Sequence, residues 1–469
     1  MQRIKNAGQT LYNHKKKAIF ASLVAAWGVN YVRHWIRDGD IRAYYARQAL
    51  HQGEQLISAE DQPRRVTVLL NKSANGGSAI ANFKQNALPL LHLAGIAVTV
   101  IKTEDAAQLR NLCAVLDRTE ADGIFIVGGD GTLNNALAGL VERKSEYAPI
   151  PVGIFPGGRN NTALRALVPS VFRHTDDVRY QCESAMAVID GTVKAVKPVR
   201  LDLVSVVPVE VEKPNEETGE TEVTQLEHET VKQETIYTLG DITNGWFAYI
   251  DDRKWKFWYY GGFKRRFAYG WEMIKNSAAE VRTEIGLTDY CSGCNRCRTT
   301  KTEVVEKPTW RWWHALIGAP KPPKSDVTVK NYSQIVNEGC GRVTELCTQG
   351  TDVVISNEQH EDACGLRLRV GGTFAGRWGV ARDGWNRTSE GLLTASAEHG
   401  FYTTDLIASQ ISMKFIEAPE RLRKIFIAGD AKDFIPEKAS VTIRPVEDSI
   451  YVFAPKSLRV GLEHLHDQK

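Results

Sequence analysis

The stretch Gly123-Ile-Phe-Ile-Val-Gly-Gly-Asp-Gly-Thr132 decides how the rest of the chain is read. Its first half is apolar without polar alternation: Ile124, Phe125, Ile126 and Val127 suit a strand covered on both faces, as in parallel α/β sheets. Its second half sets three glycines around one carboxylate. Gly128, Gly129 and Gly131 free the backbone for positive φ and close approach, so that successive N–H groups can face phosphate oxygens. Thr132 is placed to N-cap a helix carrying Leu133 to Val141, whose N-terminus adds partial positive charge at the same spot. An acidic residue facing a phosphate is repelled unless a metal or a proton transfer engages it, so Asp130 reads as a working carboxylate rather than as part of a tightly packed turn.

Outward from this stretch the composition sets bounds. With 469 residues the chain has room for two or three domains, and 43% hydrophobic content supports sizeable cores. A formal net charge of +3 is small for that length, so the total carries no nucleic-acid footprint and any basic surface is local. Eight cysteines are too few for a disulfide scaffold.

Strand and helix alternate on both sides of the central stretch. Val66 to Leu70 is a β-branched run ending at Asn71, then Ser73-Ala-Asn-Gly-Gly77, then a helical stretch from Ala79 towards Leu93. Ile96 to Ile101 is the second strand, Ala106 to Leu116 a helix, and Pro151-Val-Gly-Ile-Phe-Pro156 a fourth strand ending in Gly157-Gly-Arg-Asn-Asn161. This order predicts an α/β nucleotide-binding domain with a Rossmann-like parallel sheet and ligands at the carboxyl ends of its strands. Three Gly/Asn-rich loops fall at those ends. Neither the dinucleotide fingerprint nor the P-loop motif follows any of these strands, which disfavours a dehydrogenase and a P-loop kinase.

Asn71 with Gly76-Gly77, then Gly128-Gly-Asp-Gly-Thr132, then Pro156-x-Gly158-x-x-Asn161 resemble the catalytic domain of the diacylglycerol kinase and sphingosine kinase superfamily. Lys256-Phe-Trp-Tyr-Tyr-Gly-Gly-Phe-Lys264, following Gly245-Trp246, and the basic apolar N-terminus extend the resemblance to the mitochondrial acylglycerol kinases. The resemblance implies ATP-dependent, Mg²⁺-requiring phosphorylation of a lipid hydroxyl: monoacylglycerol to lysophosphatidic acid, diacylglycerol to phosphatidic acid. It also implies a second, mainly antiparallel β-sandwich domain, with the site in the cleft between the two. On that basis Asn71, Gly128, Gly129, Gly131 and Thr132 go to the phosphates, Thr103, Gly158 and Asn161 line the nucleotide cleft, and Gly76 and Gly77 belong to the cofactor-binding set. Asp130 is the first candidate for general base or metal-linked carboxylate. Asp430 is the second, in Ile427-Ala-Gly-Asp430, where the family has Ile-Asp-Gly-Glu and this chain has lost a carboxylate at Ala428. Asp251 matches a carboxylate near the lipid headgroup, and the spacing to Gly261 does not distinguish it from Asp252 beside it.

Before Asp38 the chain has no acidic residue, while Lys15, Lys16, Lys17, Arg33 and Arg37 flank the apolar run Ala18 to Val32. That run is short for a spanning helix, which needs about 20 residues. It fits a mitochondrial targeting segment that also holds the protein on a membrane, with an ordinary amphipathic helix as the competing reading. The expected location is the inner membrane, facing the intermembrane space. The expected domains are a basic apolar segment at 1–62, the catalytic domain at 63–196, a β domain at 197–458 with insertions at 207–233 and 280–370, and a tail at 459–469.

In the second half, the Glu-rich stretch Glu210 to Glu229 reads as a solvated hairpin loop. From Trp255 to Trp271 aromatic residues interleave with Lys and Arg. Such interleaving suits a membrane interface, a single-stranded nucleic acid, or a core helix with a basic solvent face; the lipid-facing role fits the context. Cys291-x-x-Cys294-x-x-Cys297 offers three soft ligands for a structural metal, with Cys340, Cys347 or Cys364 as a fourth. Free thiols or a local disulfide are the alternatives. Residues 299–330, with Trp310, Trp312 and Trp313, read as an irregular insertion, and Ile450 to Phe453 as one of the last strands of the β domain. The rival functions are a sphingosine or ceramide kinase, with the same nucleotide motifs, and a non-catalytic scaffold in the inner-membrane translocase for carrier proteins.

Overall fold

The computed structural model describes residues 15–55, 62–143, 149–169, 171–172, 177–214, 221–275, 278–297, 332–359, 364–373, 377–389 and 401–460. The chain divides into two units: Met1–Val196 with Thr238–Gly240 and Asp448–Lys469, and Lys197–Tyr237 with Asp241–Glu447.

The strands of the first unit are β1 (Arg65–Asn71), β2 (Ala97–Thr103), β3 (Gly123–Gly128), β4 (Val152–Pro156) and β5 (Val193–Val196). Its helices are α1 (Lys15–Gly53), α2 (Ser78–Asn86), α3 (Leu88–Leu93), α4 (Ala106–Val115), α5 (Asp130–Val141), α6 (Thr162–Leu167) and α7 (Val178–Asp190). The sheet runs β2, β1, β3, β4, then Ile450–Phe453, then β5. All neighbours are parallel except the last pair. The reversal of strand order about β1 is a doubly wound pattern, which places ligands at the carboxyl ends of its strands. Every residue of β3 and β4 is buried, as their uninterrupted apolar composition requires. Phe83, Phe125 and Phe155 meet edge-to-face at 5.5 to 6.3 Å between centroids and fasten α2 to the two central strands.

Three expectations change here. Ile450–Phe453 belongs to this first sheet: it is parallel to β4 and antiparallel to β5, so the chain returns to the first unit after Asp448. A short apolar strand carries no label for which sheet it enters. The helix expected from Ala79 towards Leu93 breaks at Ala87 (φ −119°): Pro89, in the first turn of α3, has no N–H for the carbonyl of Gln85 and its ring crowds that carbonyl, so the earlier helix cannot run through it. The apolar N-terminal run lies in the 39-residue α1, whose far end is domain core rather than membrane segment. Ile41, Tyr45 and Ala49, spaced four apart, are fully buried, and Tyr45 Oη donates to Glu183 Oε2 on α7 at 2.7 Å. Near the start of α1, Phe20, Trp27, Tyr31 and Trp35 are exposed. Among the described residues no helix is long and apolar enough to cross a membrane.

The second unit carries β6 (Val199–Pro214), β7 (Thr221–Thr238), β8 (Ile242–Gly245), β9 (Val281–Asp289), β10 (Val343–Gly350), β11 (Asp352–Gln359), β12 (Cys364–Gly371), β13 (Tyr402–Glu417), β14 (Lys424–Ile427), β15 (Asp430–Asp433) and β16 (Ala439–Pro445). Among the described residues they form one hydrogen-bonded network, antiparallel from β8 to β16 and where β16 meets β6. The 16-residue β13 pairs first with β12 and then with β9 and β16, so one strand serves two parts of a curled sheet. Helices α8 (Trp246–Arg253), α9 (Lys264–Lys275) and α10 (Arg377–Ser389) belong to the same unit, and Trp246, Phe247 and Tyr269 from the first two enter its core. The Glu-rich stretch is strand up to Pro214 and again from Thr221; a ladder through it was not expected from so charged a sequence. The insertion at 299–330 lies outside the described residues.

Candidate active site

Three loops at the carboxyl ends of β1, β3 and β4 are drawn together by backbone, and the glycines are what let them meet. A Cβ on Gly158 would stand 2.4 Å from the Cα of Gly129, and one on Gly128 would stand 2.5 Å from Thr132 Oγ1. Neither obstacle is a flexible side-chain end, so neither position tolerates a methyl group. Gly157 N–H donates to Gly128 O at 3.1 Å, joining the β4 loop to the β3 loop. The β1 loop is joined through Asn71, whose Nδ2 donates to Thr132 Oγ1 at 2.9 Å while its Oδ1 accepts from Ser73 N–H and Oγ–H at 3.0 and 2.8 Å.

The β1 loop then turns through three consecutive left-handed residues, Asn75 (φ 49°), Gly76 (φ 63°) and Gly77 (φ 86°). A Cβ on either glycine meets nothing within 4 Å, so these two serve conformation, whereas Gly128 and Gly158 serve close approach. Asn161 repeats the left-handed conformation at φ 50°; its Oδ1 accepts from Gly158 N–H and its Nδ2 donates to Gly158 O, both at 2.9 Å. Thr103 is buried beside Asn71, and its hydroxyl donates to Leu70 O at 3.1 Å.

The helix after the glycines starts three residues earlier than expected. Its N-cap is Gly129, the first bond inside it is Leu133 N–H to Gly129 O at 3.0 Å, and Thr132 lies in the first turn as the acceptor for Asn71. The first-turn amides of Gly131 and Thr132 therefore precede the helical ladder, as anion donors must. Asp130 is buried, and its two carboxylate oxygens accept the amides of Thr162 and Ala163 at 3.0 Å each. Besides any chemistry, it pins the start of α6, and with it the β4 loop, to the start of α5. Sequence reasoning passed over Asn134 and Asn160, in the pairs Asn134-Asn135 and Asn160-Asn161. Each holds a buried side-chain oxygen without a hydrogen-bond partner, as does Thr162. Two Asn-Asn pairs flanking glycine loops were the available signal. Arg159 is exposed.

In the second unit Asp251, on α8, is clasped by Lys254 Nζ at 2.6 Å and Arg265 Nε at 2.9 Å. Burial alone would raise its carboxyl, but the two cations outweigh it and hold Asp251 well below the usual range. Asp252 is exposed, so the two neighbouring carboxylates, indistinguishable by sequence, differ in setting. Asp430 opens β15 after a two-residue turn, Ala428 (φ 50°) and Gly429 (φ 88°), with Ile427 paired to Asp430. A left-handed alanine costs roughly 1–2 kcal/mol, so this turn is held by its surroundings, including Ala428 N–H to Asp241 O at 2.9 Å. The segment Lys254–Phe263 and α9 expose Trp258, Tyr259, Phe263, Trp271 and Ile274 among Lys256, Lys264 and Arg266. The inner face of α9 packs Ala268 and Tyr269 into the core, while large apolar side chains left in water this densely on the outer side mark a contact surface.

The family model for the diacylglycerol kinase catalytic domain matches residues 65–201. An uncharacterized Caenorhabditis elegans protein is 40% identical over 97% of both chains. The mitochondrial acylglycerol kinase of Mus musculus is 28% identical over 60% of this chain and 59% of its own length. Sphingoid long-chain bases kinase 1 of Arabidopsis thaliana is 33% identical over 28% of this chain and 16% of its own. The matched span holds all three loops and the sheet that positions them, and the chain belongs to the diacylglycerol kinase catalytic-domain family.

Proposed function

We propose that this lipid kinase of the diacylglycerol kinase family transfers the γ-phosphoryl group of ATP to the free hydroxyl of monoacylglycerol and diacylglycerol, giving lysophosphatidic acid and phosphatidic acid. The observation that carries the reading is the junction of the three glycine loops, where Gly128 and Gly158 have no room for a Cβ and the start of α5 brings its amides beside Asp130. Phosphoryl transfer asks for this: positioning and charge neutralisation, with little covalent help from the protein. Gly76, Gly77, Gly128, Gly129, Gly131, Thr132 and Asn71 hold the phosphates, and Thr103, Gly158 and Asn161 line the nucleotide. When bound with ATP, Mg²⁺ supplies charge neutralisation on the phosphates; Asp130 fits it, since a carboxylate has acceptor capacity beyond its two amide bonds. Asp130 is also the leading candidate to take the acceptor hydroxyl's proton, with Asp430 second. Asp251, kept ionised by Lys254 and Arg265, suits hydrogen bonds from a glycerol headgroup.

The lipid acceptor is supported by the exposed aromatic and basic surface around Trp258 and Trp271. The acid-free basic N-terminus and the mitochondrial acylglycerol kinase relatives support a mitochondrial location, and the inner membrane, facing the intermembrane space, is the place this reading assigns. Two other readings have their own support: a sphingoid-base kinase, from the plant relative, and a scaffold of the carrier translocase, from the carboxylate missing at Ala428. The test is transfer of labelled phosphate from ATP-Mg²⁺ to monoacylglycerol, diacylglycerol, sphingosine and ceramide in mixed micelles. Label on the two glycerolipids is the expected result. Label confined to sphingosine or ceramide replaces the substrate class, and no label from folded protein leaves the scaffold.

A further inference from the structure

Far along the chain from the glycine loops, the second unit gathers four cysteines from two segments. Cys291, Cys294 and Cys297 follow β9 directly, and Cys340 precedes β10. Strands β9 and β10 pair antiparallel up to Thr288 with Val343, and Asp289 N–H donates to Arg342 O at 3.0 Å, so the two segments leave the same end of one ladder. Asn295 N–H to Ile335 O at 3.0 Å carries the contact beyond it. There the four Sγ atoms all lie within 4.8 Å of one another, and the Cys291–Cys297 and Cys294–Cys297 separations are both 3.7 Å. Four thiolates around one zinc at about 2.3 Å stand about 3.8 Å apart along each edge of the tetrahedron.

The backbone around the cluster is shaped for such a site. Gly293 (φ 138°) and Gly341 (φ 82°) flank Cys294 and Cys340 in conformations that favour glycine, which is how a short Cys-x-x-Cys turn brings its sulfurs to one side. Cys294 N–H points to Cys297 Sγ at 3.3 Å and Arg296 N–H to Cys294 Sγ at 3.4 Å, bonds that favour sulfur carrying negative charge. Cys294 is fully buried, Cys291 and Cys340 are half-buried and Cys297 is exposed; with four protein ligands the coordination shell is complete, as in a structural site rather than a catalytic one. Soft sulfur donors exclude Mg²⁺ and Ca²⁺, and the spacing has room for a single ion rather than an iron–sulfur cluster. Cys347 and Cys364 stand apart: Cys347 lies in β10, and Cys364 donates to Asn357 Oδ1 at 2.7 Å.

We propose that Cys291, Cys294, Cys297 and Cys340 bind one structural Zn²⁺, which clamps the base of the long connection between β9 and β10. Binding releases the thiol protons to solvent and leaves the oxidation state of sulfur and metal unchanged. The test is metal analysis of the full chain, purified from zinc-supplemented cells without chelator, beside Cys340→Ser, Cys294→Ser and Cys347→Ser. One zinc per chain is expected in the wild type and in Cys347→Ser, with at least a tenfold loss in the other two variants. Cobalt exchanged into the wild type should give the intense visible bands of a tetrahedral thiolate site, independently of how well the variants fold. Wild type without stoichiometric zinc, iron in its place, zinc retained in Cys340→Ser, or an intact mass showing these cysteines joined as disulfides each overturns the proposal.

Discussion

The glycine loops of the first unit and the charged clusters of the second solve the problem of placing groups for chemistry in opposite ways. Around Gly128, Gly129 and Gly158 position is set by side chains that are not there, so atoms can only be added, into rigid backbone. Around Asp251 and around Arg387 position is set by opposite charges withdrawn from water, so removing one partner strands the other. Arg387 is fully buried; it donates a hydrogen bond to Asp352 Oδ2 at 2.7 Å, forms an ion pair with Asp383 Oδ2 at 3.0 Å and lies 4.1 Å above the Phe247 ring. One kind of site fails by crowding and the other by desertion.

The sharpest test of the crowding half is Gly158→Ala. A Cβ 2.4 Å from a backbone atom forces the β3 and β4 loops apart, and a shift of about 1 Å near the chemistry costs on the order of a hundredfold, so kcat/KM should fall by at least that much. Activity within tenfold of wild type would break the comparison. Desertion is best seen in Arg387→Met, which leaves Asp352 and Asp383 buried without their cation. Denaturant titration should show a loss of about 3–5 kcal/mol in the second unit, and a loss below about 1 kcal/mol would mean that this buried network contributes little.

Gly76→Ala separates conformation from crowding within a single region. Its Cβ meets open space, so only the left-handed backbone penalty of roughly 1–2 kcal/mol remains, and ATP binding should weaken by about tenfold. A loss as large as that of Gly158→Ala would erase the distinction. Asp251→Asn removes the clasp's carboxylate, an effect that is complete at neutral pH and fades in acid. The folded carboxyl lies below its unfolded value of about 3.9, so its contribution is complete above that pH and is lost as pH falls towards the folded value. The variant's stability curve should therefore be flatter than wild type below about pH 4, and parallel acid limbs would show that the clasp contributes nothing.

The same contrast decides what the sequence could reveal. Glycine loops after apolar strands are local, and β1 to β4, the three loops and the family could all be read from them. What stayed hidden depends on partners far apart in the chain: Asp130 holding α6 across 32 positions, Arg387 beneath Asp352, which of Cys340, Cys347 and Cys364 completes the cluster begun at Cys291, and Ile450–Phe453 returning to the first sheet. The break at Ala87 was locally encoded by Pro89 and was overlooked because the apolar spacing continues through it. Thr132 was taken for a cap because threonine suits one, while the extended conformation of Gly129 makes the earlier start possible.

Asp130 stands where the two designs meet, a carboxylate inside a glycine site, and it carries the central claim that the loops serve phosphoryl transfer. The decisive measurement compares kcat for lipid phosphorylation, and thermal stability, in wild type and Asp130→Asn. Asparagine keeps one acceptor for the α6 amides and turns an NH₂ group towards the other, at a cost of about 1–3 kcal/mol. If Asp130 also takes the proton or holds the metal, kcat falls by about 10²–10⁴ in protein that is still folded at the assay temperature. A folded variant with kcat within tenfold of wild type would contradict the account and reduce Asp130 to a pin.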